Sequence, residues 1–166
     1  LAADPVLRRG PVEQPRRPVG RMSAMTTPLE ADGVDAVIGT VVNPAGLTHA
    51  KTVPIRRATA FADPGLGASP VWHGFAIDRA GIAFTKGISV VGDERIRIDL
   101  DALRVLGGGL AWAPGSFFDQ DGAPIPSCAR GTLRRIEERL SRAGLQALVG
   151  HEIEFLLVDP EGNRLP

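Results

Sequence analysis

Short runs of apolar and β-branched residues, broken every few positions by glycine, proline or aspartate, dominate the chain and predict a sheet-rich fold. Asp35–Val42 reads as a strand, Asn43–Gly46 as a turn and Leu47–Pro54 as the returning strand, which together make a hairpin. The glycine- and proline-rich stretch Phe61–Pro70 reads as a mobile loop. Val71–Asp78 predicts a strand, residues 79–81 a turn and Ile82–Thr85 a return strand. Ile88–Val91 and the alternating Glu94–Ile98 supply further short strands. Asp99–Arg104 resembles one helical turn led by an aspartate cap. Leu110–Ala113 and Gly115–Phe118 predict strand, closed by the turn Asp119–Gly122. One long helix is expected from Ser127 or Arg130 to Ala143, because Leu133, Ile136 and Leu140 recur at helical spacing among charged positions and Gly144 ends the pattern. A last strand, Val149–Asp159, follows, so the order of elements indicates an α+β fold.

Composition narrows the function. Nineteen basic residues balance nineteen acidic ones over 166 positions, leaving no electrostatic drive toward nucleic acid or an anionic membrane. The expected partners are a small molecule or another protein. A single cysteine, Cys128, excludes an intrachain disulfide framework and fits a reducing compartment, so the protein is expected in the cytoplasm. No apolar run is long enough to span a bilayer, and no hydrophobic export signal opens the chain. Residues 1–27, rich in proline and arginine toward their start, are expected to be a disordered tail, with Met22 and Met25 as alternative starts.

The last predicted strand carries the most specific chemistry. Period-two alternation places Glu152 and Glu154 on one face, followed there by Leu156 and Val158, while His151, Ile153, Phe155 and Leu157 take the other. Two like charges this close in a half-buried setting resist ionising unless a positive group compensates them, and a hard divalent cation does so through oxygen ligands. The simpler reading is a strand that ends near water with two solvated glutamates. His151 is expected in a core or interface, His49 and His73 on the surface, and Cys128 packed near the helix start. Gly107–Gly109 lacks the lysine and the helix of a phosphate cradle and reads as a turn.

Taken in order, several segments resemble the amino-terminal part of the glutamine synthetase superfamily, in its bacterial type-I-like branch. They are the Gly46 turn leading to Lys51 and Pro54, Gly92–Arg104, Ala111–Pro114, Asp121–Pro124, Cys128–Leu133 and Gly150–Phe155. The resemblance implies a β-grasp-like domain over 28–125 and, over 126–166, the first helix and strand of a truncated catalytic domain. It also implies that Glu152 and Glu154 match metal-binding glutamates, with Mg²⁺ or Mn²⁺ as the ion and ATP as co-substrate bound outside this stretch. In the implied reaction the γ-carboxylate of glutamate attacks the terminal phosphate of ATP, and ammonia or an amine then displaces phosphate. A homo-oligomer, ring-forming when full length, is the assembly such a family implies.

One departure from the pattern is informative. The family's Asp-Gly-Ser-Ser loop, whose aspartate helps bind ammonium, should fall near residues 75–81; Asp78 stands for that aspartate, but both serines are missing. This leaves room for an amine bulkier than ammonia, while Asp78 also reads simply as a turn-initiating aspartate. The family's ATP motif and glutamate-binding arginines are not among these residues, so the chain as given is expected to be inactive by itself. The alternative is a non-catalytic β-grasp binding or assembly module.

Overall fold

The computed structural model describes residues 33–78, 80–83, 88 and 90–164. The expected tail over 1–27 and parts of the strands expected at Ile82–Thr85 and Ile88–Val91 lie outside the described residues. The chain divides into two compact units, one reaching to Gly131 and one starting at Thr132.

The first unit is built on a mixed sheet. Strand β1 (Ala36–Val42) pairs antiparallel with β2 (Thr48–Pro54) through the predicted hairpin, with Val37 opposite Val53 and Val41 opposite His49. Gly46 turns the chain at φ 81°, a backbone conformation that glycine adopts without steric penalty. A short helix α1 (Ala58–Ala62) leads to β3 (Leu66–Ala68), and then come β4 (Glu94–Ile98), β5 (Arg104–Gly107) and β6 (Leu110–Phe118). The sheet order is β2-β1-β6-β4-β3, with β5 also on β6. β1 and β6 run parallel in the middle, and every other pairing is antiparallel. Pro114 is tolerated within β6 because it falls where one neighbour gives way to the other: β5 pairs as far as Trp112 and β4 from Gly115 onward.

Side-chain size decides the packing of the covered face. Val37, Gly39 and Val41 of β1 lie beside Ala111, Ala113 and Gly115 of β6, and these mostly small residues leave a trough for the fully buried ring of Phe61. Phe117, Ile96, Ile98, Ile55 and Cys128 complete the core. Burying a ring the size of Phe61 stabilises by roughly 1.5–3 kcal/mol. The Cys128 thiol accepts hydrogen bonds from the Phe117 and Gly131 amides at 3.3 Å each, as its expected place near the helix start implied. Beside it, Arg130 donates to the Asp99 carboxylate at 2.9 Å.

Several local expectations change. Phe61–Pro70 is not a loop throughout, since it contains the end of α1 and all of β3, held by pairing Leu66 with Ile96 and Ala68 with Glu94. Val71–Asp78 is not a strand: Pro70–His73 forms a 3₁₀ helix, started by proline and by the Ser69 hydroxyl accepting from the Val71 amide. The predicted turn after Asp99 is a 3₁₀ turn, Leu100–Ala102, but the Asp99 side chain does not cap it and bonds Arg130 instead.

In the second unit, helix α2 (Ala129–Arg142, whose first residues belong to the first unit) ends as expected at Gly144, φ 71°. The Leu145 amide donates to the Leu140 carbonyl and the Gly144 amide to that of Ser141, which satisfies two carbonyls of the last turn. Beyond it, the expected strand Val149–Asp159 is absent: residues 145–157 have no regular secondary structure and are exposed. Alternation alone cannot make a strand, because its backbone groups need a neighbouring ladder to pair with. A bridge between Val158 and Arg164 closes the turn that follows.

Candidate functional site

Asp78 lies at the tip of a small closed loop in the first unit. The Ala83 amide donates to the Gly74 carbonyl at 2.7 Å and the Ala76 amide to the Gly81 carbonyl at 3.0 Å, with Phe75 bridged to Ile82 between them. At the tip, Asp78 Oδ1 accepts the backbone amides of Ala80 and Gly81 at 3.0 Å each. Hydrogen bonding by the Gly81 amide, and next by that of Ala80, favours the carboxylate and lowers the Asp78 pKa from its ordinary value. Ile77 beside it is 78% exposed, so the tip presents an anionic oxygen next to an apolar side chain.

The base of this loop is fixed from three directions. Asn43 closes the β1–β2 turn and is 2% exposed; its Oδ1 accepts the Ala45 and Leu47 amides, and its Nδ2 donates to the carbonyls of Trp72 and Phe75 at 3.0 and 2.9 Å. His49 of β2 stacks on Trp72, centroids 4.8 Å apart, and leans on Phe75 at 5.8 Å. His73 Nε2 donates to Glu94 Oε2 at 2.7 Å, and its ring packs on Phe117 at 4.2 Å. His73 is therefore a buried residue and not the surface residue expected. It satisfies the inward-pointing Glu94 that the alternation of β4 sends into the core. Lys51 donates to the Gly67 carbonyl and lies 5.6 Å from the Trp72 ring centroid. Asn43 looked like an ordinary turn residue in the sequence; nothing local signals that its amide reaches partners about thirty residues away.

Glu152 and Glu154 belong to the second unit. Both are exposed, in the segment without regular structure. His151 is also exposed, contrary to the core or interface position expected of it. Two carboxylates two positions apart are a hard-oxygen donor set that suits Mg²⁺ or Mn²⁺, and their exposure leaves the oxygens accessible. Among the described residues no group of three or more histidine, cysteine, aspartate or glutamate side chains gathers at one point, and two carboxylates alone fall short of an octahedral shell.

No protein-family model matches the chain. Gamma-glutamylpolyamine synthetase GlnA3 of Streptomyces coelicolor is 37% identical over 142 residues, which are 84% of this chain and 30% of the relative. A solved structure described as a novel glutamine synthase homologue matches with a TM-score of 0.55 at 21% identity, over 66% of this chain and 27% of that one. The similarity to GlnA3 supports the glutamine synthetase superfamily for the stretch matched. Two further structures share the superfamily's mixed α+β fold. GmaS in complex with ADP matches with a TM-score of 0.58 at 18% identity, over 74% of this chain and 26% of that one. Glutamine synthetase of Plasmodium falciparum matches with a TM-score of 0.54 at 14% identity, over 73% of this chain and 22% of that one. The chain thus spans about a third or less of the length of the superfamily members it matches. No helix among the described residues is long and apolar enough to cross a membrane.

Proposed function

We propose that the intact protein is a cytoplasmic, ATP-dependent glutamate–amine ligase of the glutamine synthetase superfamily, acting on an amine larger than ammonia. In this reading residues 28–125 form a β-grasp-like domain and 126–166 open a catalytic domain. The sheet order, with the first and last strands parallel at its centre, supports the β-grasp assignment. The observation that carries the functional reading is the 37% identity to a gamma-glutamylpolyamine synthetase across 84% of the chain.

Each residue then has a chemical task. Glu152 and Glu154 hold a divalent cation, which when bound neutralises charge on the transferred phosphoryl oxygens. The glutamate γ-carboxylate attacks the γ-phosphorus of ATP, releasing ADP and forming an acyl phosphate. The free amine then attacks the acyl carbon, loses a proton, and phosphate leaves. Asp78, held ionised by the amides of its turn, attracts the cationic amine before it loses its proton to become the nucleophile. The loop sequence around Asp78 lacks the two serines of the family pattern and carries exposed Ile77, which favours an amine with a hydrocarbon chain over ammonium. The working assembly is a ring-forming homo-oligomer.

The test is phosphate release by the intact protein with glutamate, ATP and Mg²⁺, against ammonia, monoamines and polyamines. The reading expects turnover with at least one alkylamine or polyamine exceeding that with ammonia. Release with ammonia alone would reject the larger amine, and no release with any amine would favour the non-catalytic module.

A further inference from the structure

The loop that displays Asp78 is not held by its own sequence. Among the described residues of the loop, backbone hydrogen bonds and the two amides on the Asp78 carboxylate set its shape. They do not fix where that shape points. Orientation relative to the sheet comes from a buried side chain on a different element. Asn43 is 2% exposed, and all four of its hydrogen bonds are made: two to the amides of its own turn and two across to the carbonyls of Trp72 and Phe75. Those carbonyls flank the point where the 3₁₀ helix passes into the loop. The hydrogen bond between His73 and Glu94 pins residue 73, next to Trp72, to β4 from another direction. Three anchors, at 72, 73 and 75, therefore tie the loop to β1–β2 and to β4, while Ile77 and Asp78 stay exposed.

On this geometry we infer that Asn43 is the positioning residue of the amine subsite. Its side-chain amide orients the Gly74–Ala83 loop so that the Asp78 carboxylate faces the incoming cation, and the His73–Glu94 pair seconds it. The inference rests on the reading of Asp78 as an amine-facing group. Asn43 touches no substrate; it acts only through the two carbonyls. An isosteric aspartate acts on that contact, because Asn43→Asp keeps the acceptor for the Ala45 and Leu47 amides and turns the donor group to Trp72 and Phe75 into a carboxylate oxygen that their carbonyls repel.

The experiment uses the intact protein with glutamate, ATP, Mg²⁺ and the amine that gives best turnover. Steady-state constants are measured for the parent, Asn43→Asp and Asp78→Asn. The expected result for Asn43→Asp is a KM for the amine raised roughly ten- to hundredfold, the scale of a misplacement near 1 Å. The KM for ATP and for glutamate, and kcat at saturating amine, should stay within about twofold of the parent, a split that general loss of folded protein cannot produce. Should Asn43→Asp fail to accumulate folded, His73→Leu against the conservative His73→Gln makes the same comparison, with the amide variant expected to recover most of the amine KM. Asp78→Asn separates the two levels of the argument. If it raises the amine KM while Asn43→Asp does not, the positioning role is overturned and the reading of Asp78 survives. If Asp78→Asn leaves the amine KM unchanged, that reading itself is overturned, and the positioning role with it.

Discussion

Adding a single methyl group to Gly39 tests the packing of the sheet most sharply. A Cβ built there would lie 2.4 Å from Phe61 Cζ and 2.5 Å from both Phe61 Cε1 and Ile98 Cγ2. Carbon atoms in contact prefer about 3.5–4.0 Å, so the ring or the strand has to move by roughly 1 Å. Neither has room, because Phe61 is fully buried and β1 is hydrogen-bonded on both sides, to β2 and to β6. Overpacking of this kind destabilises by about 1–3 kcal/mol. Replacing glycine in a strand interior returns about 0.5–1 kcal/mol by restricting the unfolded chain. The expected net loss for Gly39→Ala is therefore about 1–2 kcal/mol, a fall in Tm of roughly 4–16 °C for a unit of this size. Urea unfolding of the purified chain, followed by the fluorescence of Trp72 and Trp112, measures it. Phe61→Leu opens the trough, so the double variant should be less destabilised than the sum of the single variants by about 1 kcal/mol. A Gly39→Ala chain as stable as the parent, or strictly additive losses, would refute the contact between β1 and α1.

Three further outcomes are expected. In a carboxyl NMR titration Asp78 should show a midpoint below the ordinary value of 3.8, because the Gly81 and Ala80 amides favour its charged form. A lowered folded-state pKa means that its stabilising effect is present above the unfolded value and is lost as pH falls through the folded one; a midpoint at or above 3.8 contradicts the turn geometry. The Cys128 thiol, 2% exposed, should resist an aromatic disulfide reagent in the native chain and react fully in denaturant, and rapid native labelling would show that it is not buried. With Val149, Ile153 and Phe155 each at least 74% exposed, the purified chain should associate at micromolar concentration in light scattering, and a monodisperse monomer would contradict that expectation.

Local signals made much of the sheet legible. β1, β2, β4 and β6 each announce themselves by β-branched or alternating residues between turn formers, and α2 by its apolar spacing and terminal glycine. What sequence reasoning missed was decided by distant partners. Phe61 opens a glycine- and proline-rich stretch that reads as loop, yet it is ordered by a trough made of small residues on β1 and β6. His73 looked like a surface residue because the carboxylate that justifies burying it is twenty-one positions away. Conversely, Val149–Asp159 has the alternation of a strand, but alternation does not by itself supply a hydrogen-bonding neighbour, and residues 145–157 have no regular secondary structure. Asp78 shows the turn-initiating role that its sequence context suggested, accepting two amides of its turn through Oδ1, and it stays exposed at the loop tip.

The most direct test of the account is Mn²⁺ binding to the intact protein, followed by electron paramagnetic resonance, with and without the paired change Glu152→Gln and Glu154→Gln. The account predicts that the change weakens binding by more than about tenfold, since loss of even an outer-shell partner has an effect of that order, while the fold stays intact by circular dichroism. Mn²⁺ affinity equal to that of the parent, in a folded double variant, would contradict the assignment of these two carboxylates as metal ligands.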